Sequence, residues 1–255
     1  HMAVTQRGGA NAGQLSLGVG LGDPARDGYN LFASIALHKQ RRLHASERDF
    51  ARTGQRPELG LDALHGSTFP ANIVDRPGGR ILNPTASSGC TPPTSLPFRP
   101  VPFLTPACGY DVPAAADLLP EVERANALLR GTWRAAAAIE VFAEALLVKN
   151  RVDTQSAPPA VLPVGNAGGP PLYPAGGPYY PSAFAAANDL SGNLVVAYRA
   201  DELGPKLNTV RSDAQRVVVG AEGQAAGWDF DVAAVYSLNT QEHAYGGSWL
   251  HIGRF

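Results

Sequence analysis

Residues 216–239 read RVVVGAEGQAAGWDFDVAAVYSLN, and their side chains alternate in character over most of that length. Val217, Val219 and Ala221 take one parity, Arg216, Gly220 and Glu222 the other. After a Gly-rich break, Trp228, Phe230, Val232, Ala234 and Tyr236 share one side, and Asp229, Asp231 and Ser237 take the opposite one. A period of two over such runs demands strands with two unlike faces. The constraint recurs. Leu15, Leu17, Val19 and Leu21 alternate with Gln14, Ser16, Gly18 and Gly20; after the polar turn DPARDG, Tyr29, Leu31, Ala33, Ile35 and Leu37 alternate with Asn30, Ser34 and His38.

A third pair is expected at Val122–Trp133 and Ile139–Lys149, joined by RAAAA. Here two readings stay open. Ala, Leu and Glu dominate 131–149 and favour helix by local propensity, whereas the neighbouring alternation favours strand. A short strand at 193–200 is expected to form a hairpin with 206–211 around LGP. The long strands are thus expected at 14–22, 29–40, 122–133, 139–149, 212–222 and 228–239, with short turns at one end and long connections at the other. Those connections are 41–120 and 150–192, both rich in proline, which removes donors from any ladder and argues against central sheet.

Alternation alone does not separate a soluble sandwich from a transmembrane barrel. Three features favour the barrel. Short turns alternating with long loops are the asymmetry of outer-membrane barrels. One face is strongly polar, with Arg124, Asn126, Arg130, Glu140, Glu144, Asp229 and Asp231 expected to face a wet lumen. Tyr29, Trp133, Trp228 and Tyr236 lie near strand ends, where interfacial aromatic girdles belong. The fold expected is therefore all-β: an antiparallel up-and-down transmembrane β-barrel, partial, with about six to eight strands, as one domain over 1–255. No apolar run is long enough for a transmembrane helix.

Composition narrows the function. The 255 residues carry a formal net charge of −1, so no global basic field points to nucleic acid. His1 and Met2 look like an expression-tag remnant, and no secretory signal is visible. Cys90 and Cys108 are either a disulfide, which would place the chain in an oxidising compartment, or two unrelated thiols. No HExxH, CxxC or GxSxG motif occurs, and the six histidines are scattered; neither a metal nor a cofactor is expected. The glycines of GVGLG (18–22) have the wrong spacing for a phosphate loop and read as small residues on one strand face.

Several segments together resemble TonB-dependent outer-membrane receptors in the barrel region that follows the plug. They are GYNLFASIALHKQRRLHASERDFARTG, ERANALLRGTWRAAAAIEVFAEALLVKNR, PYYP at 178–181, YRADELGP at 198–205 and GAEGQAAGWDFDVAAVYSLN, in the family's order. The resemblance implies an outer-membrane location, lipid around the barrel, and uptake of a siderophore, a vitamin or a carbohydrate. It also implies coupling to TonB through a plug. The family barrel has about 22 strands, and neither the plug nor the remaining strands are expected here, so the chain reads as a fragment of such a receptor. The closing HIGRF lacks the alternation of a terminal barrel strand. Loop aromatics Phe103, Tyr110, Tyr173, Tyr179 and Tyr180 are candidates to stack on a ligand. The alternative reading is a soluble, esterase-like hydrolase, with Ser67 (after His65 and Gly66) or Ser88 (before Gly89 and Cys90) as the nucleophile.

Overall fold

The computed structural model describes residues 1–6, 8–99, 105–163 and 169–250. Besides minor ladders and single 3-10 turns, its elements are β1 (Ala12–Leu21), β2 (Tyr29–Gln40), β3 (Asn72–Asp75), β4 (Arg80–Leu82), β5 (Ser95–Phe98), β6 (Ala107–Tyr110), β7 (Glu121–Ala136), β8 (Ile139–Ser156), α1 (Ser182–Ala187), β9 (Leu194–Arg199), β10 (Lys206–Ala225) and β11 (Trp228–Gly247). The chain divides into two compact units, one of 1–42, 120–154 and 208–244, the other of 43–119, 155–207 and 245–255.

The first unit is a single long-stranded sheet in the order β1-β2-β7-β8-β10-β11, with Met2–Ala3 paired outside β1. Each long strand lies beside its predecessor, so the chain meanders. All six expected strands are present; the one expected at 29–40 has those bounds, and the other five are longer than expected, β10 and β11 each running 20 residues. The sheet is open, with β11 at one edge and β1 with its Met2–Ala3 ladder at the other, and no closed barrel forms among the described residues. Among the described residues no helix is long and apolar enough to cross a membrane.

The Ala-rich segment 131–149 is strand on both sides of a two-residue turn at Ala137 and Ala138, with no helix. Leu129 pairs with Ala145 and Leu147 with Ala127, and Ala127 and Leu129 also pair with Ile35 and Ala33 of β2. Helix propensity differs by only tenths of a kcal/mol per residue among Ala, Leu and Glu. Hydrogen bonds to β2 on the other side of β7 outweigh it. The turns follow local chemistry. Asp23 and Asp27 close the first by accepting from the Ala25 and Asp23 N–H groups. Ala226 and Gly227 both take positive φ, the backbone of a two-residue hairpin whose twist matches its strands.

Gly220 marks a close approach. A Cβ there would overlap the Phe142 ring and lie 2.7 Å from the Val232 carbonyl oxygen. Gly220→Val is accordingly expected to destabilise the sheet by about 1–3 kcal/mol, measured as a lower urea midpoint; an unchanged midpoint would mean that β8, β10 and β11 are not packed this way.

In the second unit the two long connections gather into compact structure of their own. β9 pairs with β3, and β3 with β4; Leu172–Tyr173 and Ala160–Val161 pair along β9 as well. The expected 193–200/206–211 hairpin does not form. The backbone groups of β9 are taken by these partners, and 206–211 begins β10 instead. Ile73, Leu194 and Val196 form the core, covered by Tyr173, Tyr180, Phe184, Leu190 and Tyr198. β5 and β6 form a hairpin, and Cys90 and Cys108 are joined by a disulfide.

Beneath the hairpin lies a polar knot centred on fully buried Asn72. Its amide donates to the carbonyls of Gly66 (2.7 Å) and Cys108 (2.6 Å). Its carbonyl accepts from the Cys108 N–H (3.2 Å) and from the Asn83 amide (2.9 Å). Burying an amide is tolerable only when its donors and acceptors are met, as they are here.

Candidate functional site

Register fixes which side chains of the long sheet share a face. On one face, four transverse rows cross β1, β2, β7 and β8: Leu15–Leu37–Ala125–Lys149, Leu17–Ile35–Ala127–Leu147, Val19–Ala33–Leu129–Ala145 and Leu21–Leu31–Gly131–Ala143. The next row is Tyr29–Trp133–Val141. Apart from Lys149 at one corner these side chains are apolar, and none is buried; Leu129 is 56% exposed and Trp133 61%. A continuous apolar face four strands wide is not the scatter of single surface leucines that any protein carries.

The band has two ends of different chemistry. Towards the short turns it closes with Tyr29 and Trp133, and Trp228 opens β11 beside its own turn. At the other end the same face turns to charge. One row beyond Leu15 and Leu37, Gly13, Lys39, Glu123 and Arg151 pair in register. Lys39 Nζ lies 2.5 Å from Glu123 Oε1 and 3.8 Å from Glu121, and Arg151 bonds Asp153 at 2.8 Å. From Trp133 to Ala125 is eight residues, or about 26 Å of strand at the usual rise. The sequence held a signal for this charged border, since Lys39 and Arg151 continue the parity of Leu37 and Leu147.

The opposite face of β7 and β8 mixes polar residues with Val122, Leu128, Leu146, Val148 and Val152. Arg124, Arg130, Glu140 and Glu144 share it by register. Arg130 lies 3.9 Å from Glu144, Arg134 is paired with Glu140, and Arg124 donates to Asn150 Oδ1 at 3.2 Å. Asp229 and Asp231 share one side of β11 and line a shallow depression with Glu222 and Gln224. Phe32 lies over Gly18, with ring atoms 3.7 Å from where a Cβ would sit. That is ordinary contact; the glycine of GVGLG that makes room is Gly22, where a Cβ would lie 2.6 Å from the Tyr29 ring.

The loop aromatics do not form one site. Phe103 lies outside the described residues. Tyr110 is a correction: at 1% exposure it has no surface for a ligand. Its hydroxyl donates to Asp201 Oδ1 at 2.7 Å and its ring lies 4.4 Å from the Arg199 guanidinium carbon. Burial, reinforced by Asp201, holds that phenol far above its ordinary titration range. Tyr173 and Tyr180 pack on the core, 6.2 Å apart; Tyr173 Oη accepts from the Tyr179 N–H and Tyr180 donates to the Gly192 carbonyl. The Tyr179 ring, 85% exposed, remains open.

The serines considered as nucleophiles are engaged elsewhere. Buried Ser67 donates its hydroxyl to the Val161 carbonyl, and its backbone N–H goes to His65 Nδ1. Ser88 donates to the Thr85 carbonyl. Neither hydroxyl faces an imidazole. Among the described residues no cluster of His, Cys, Asp or Glu could hold a metal ion.

His65 supplies a pH test of the second unit. Burial lowers its pKa, and the nearby Arg199 lowers it further. The folded state therefore holds a neutral imidazole while the unfolded chain takes up a proton below the ordinary value of 6.5. Stability should fall as pH drops from that value towards the lowered folded one, and level off beneath it. Thermal melts across this range should show the loss in the native chain and a flatter profile in His65→Gln; equal profiles would remove His65 as the cause.

Comparison with protein-family models, curated proteins and solved structures finds no match to this chain.

Proposed function

We propose that the long sheet is part of the wall of an outer-membrane β-barrel, and that the chain serves in a receptor of the TonB-dependent kind for uptake of a small ligand. The observation that carries this is the exposed apolar band bounded by Tyr29 and Trp133 on one side and by the Lys39–Glu123–Arg151 row on the other. Its length along β7 suits a lipid-facing belt, which stands about 25 Å tall in barrels of this class. Water disfavours such a surface, whereas hydrocarbon accommodates it without cost and the tyrosine and tryptophan rings rest at the headgroups. The opposite face, with arginines and glutamates in cross-strand pairs, suits a water-filled interior. Antiparallel meander and short turns at a single end agree with barrel topology. On this reading β7, β8, β10 and β11, of 16 to 20 residues, extend well past the roughly 9–11 residues a bilayer needs, at the end away from the short turns. The specific ligand class rests on the sequence resemblance alone.

The test is depth. The chain, refolded into phosphatidylcholine vesicles, should have Trp133 and Trp228 quenched by lipids brominated near the headgroup and shielded from aqueous iodide. Protein that stays monomeric in buffer, with both indoles open to iodide in the presence of vesicles, would overturn the reading.

A further inference from the structure

The polar face of the long sheet is not uniform. On β7 it carries three arginines, at 124, 130 and 134. Two stand opposite carboxylates: Arg130 opposite Glu144 and Arg134 opposite Glu140. Arg124 does not. Its row reads Gln14–His38–Arg124–Asn150, made of two amides, an imidazole and a guanidinium. The adjoining rows are Ala12–Gln40–Val122–Val152 on one side and Ser16–Ala36–Asn126–Val148 on the other, then Gly18–Ser34–Leu128–Leu146.

Along these four strands the first carboxylate on this face is Glu144, in the row of Arg130. Six residues separate Arg130 from Arg124, about 20 Å of strand, or about two and a half Debye lengths at physiological salt. Lys39, Glu123 and Arg151 belong by register to the other face; Arg124 and Asn150 do line one depression with the acids Glu123 and Asp213, where Lys149, Arg151 and Arg211 bring the cations, Arg124 included, to four against two. The acids of the polar face collect at the opposite end: Glu140 and Glu222 line one depression with Arg134, and Glu222 adjoins Asp229 and Asp231 in the next.

We infer that the row Gln14–His38–Arg124–Asn150 is a subsite for an oxyanion, a carboxylate or phosphate group on a small ligand. Arg124 spends only Nε on Asn150 Oδ1. Its two terminal nitrogens stay available for the paired hydrogen bonds that guanidinium makes to such groups. Because Asn150 accepts through its carbonyl, its amide nitrogen is left to donate outward. His38 flanks Arg124 on the other side with a second donor. Neighbouring strands bring Cβ atoms to about 4.5–5.5 Å, so one oxyanion can reach Arg124 together with either flank. This deepens the receptor reading by naming the chemistry of what the polar face accepts, and rests on it for the idea that a ligand passes there.

Citrate and inorganic phosphate are suitable probes, titrated calorimetrically into the chain refolded in non-ionic detergent. Citrate should bind saturably, and Arg124→Gln should weaken it by about 10- to 100-fold, the range for losing charge-assisted hydrogen bonds. Arg134→Gln, whose partner is Glu140, should leave citrate affinity within about twofold, since well-separated sites act independently. Arg124→Lys guards against a folding artefact: it keeps the charge and should fall between the native chain and the glutamine variant. Three results would overturn the subsite: no saturable heat from either anion while circular dichroism shows the sheet, equal weakening by Arg124→Gln and Arg134→Gln, or preferential binding of a polyamine. The vesicle experiment is separate. Citrate binding without membrane insertion would leave the subsite and remove the receptor; insertion without citrate binding would do the reverse.

Discussion

Replacing Leu129 with arginine is expected to cut insertion into bilayers by about 30- to 900-fold, from the 2–4 kcal/mol that an arginine costs on the lipid face at mid-bilayer. Leu129 is the position to choose because its row, Val19–Ala33–Leu129–Ala145, lies inside the band, two rows from Trp133 and three from the charged border. The same substitution separates two environments. In water, an arginine at a site already 56% exposed would change stability by no more than about 0.5 kcal/mol. The adjacent Leu128 lies on the other face of β7, so Leu128→Arg is the matched control and should insert nearly as well as the native chain. Refolding yield into vesicles, read by protection from added protease, measures both. Similar yields for Leu129→Arg, Leu128→Arg and the native protein would show that the apolar band does not meet hydrocarbon.

The two units differed in how much their sequences disclosed. The long sheet was legible because a lateral pairing that spans many residues imposes the same period on all of them. Leu15 to Leu21 and Leu31 to Leu37 state their face outright, and the register then follows from a short turn. Where the period was blurred by alanine, at 131–149, local propensity competed and the answer came from β2 and β8 lying on either side of β7. The charged border was present in the parity of Lys39 and Arg151 but needed cross-strand register before it became a row. The two regions expected as loops gave no such signal. Their strands are mostly two to six residues long, too short for a period, and β9 finds β3 more than a hundred residues away through Val196 and Ile73. Tyr110 was misjudged for a related reason: an aromatic among prolines looks exposed until Arg199 and Asp201, far along the chain, close over it.

Asn72 offers the sharpest test of that second unit. Asn72→Ala is expected to lower its stability by about 3–5 kcal/mol, since several buried groups lose their partners together. The side chain meets four of them: the Gly66 carbonyl, both the carbonyl and the N–H of Cys108, and the Asn83 amide. Aspartate is nearly isosteric and would not rescue it. A carboxylate in place of the amide nitrogen would face the Gly66 and Cys108 carbonyls with no donor between them, in a site closed to water. The disulfide acts at the same point, because Cys108 is both its half-cystine and Asn72's main-chain partner. Reduction alone should cost about 3 kcal/mol on the loop-closure estimate for a loop of this size. Asn72→Ala and reduction should then combine less than additively, as two changes sharing one anchored strand do. Urea melts followed by tyrosine fluorescence, with and without dithiothreitol, give all four corners of the cycle. Full additivity would mean that the amide knot and the cross-link hold different parts of the unit, and a small effect of Asn72→Ala would mean that β6 is held without it.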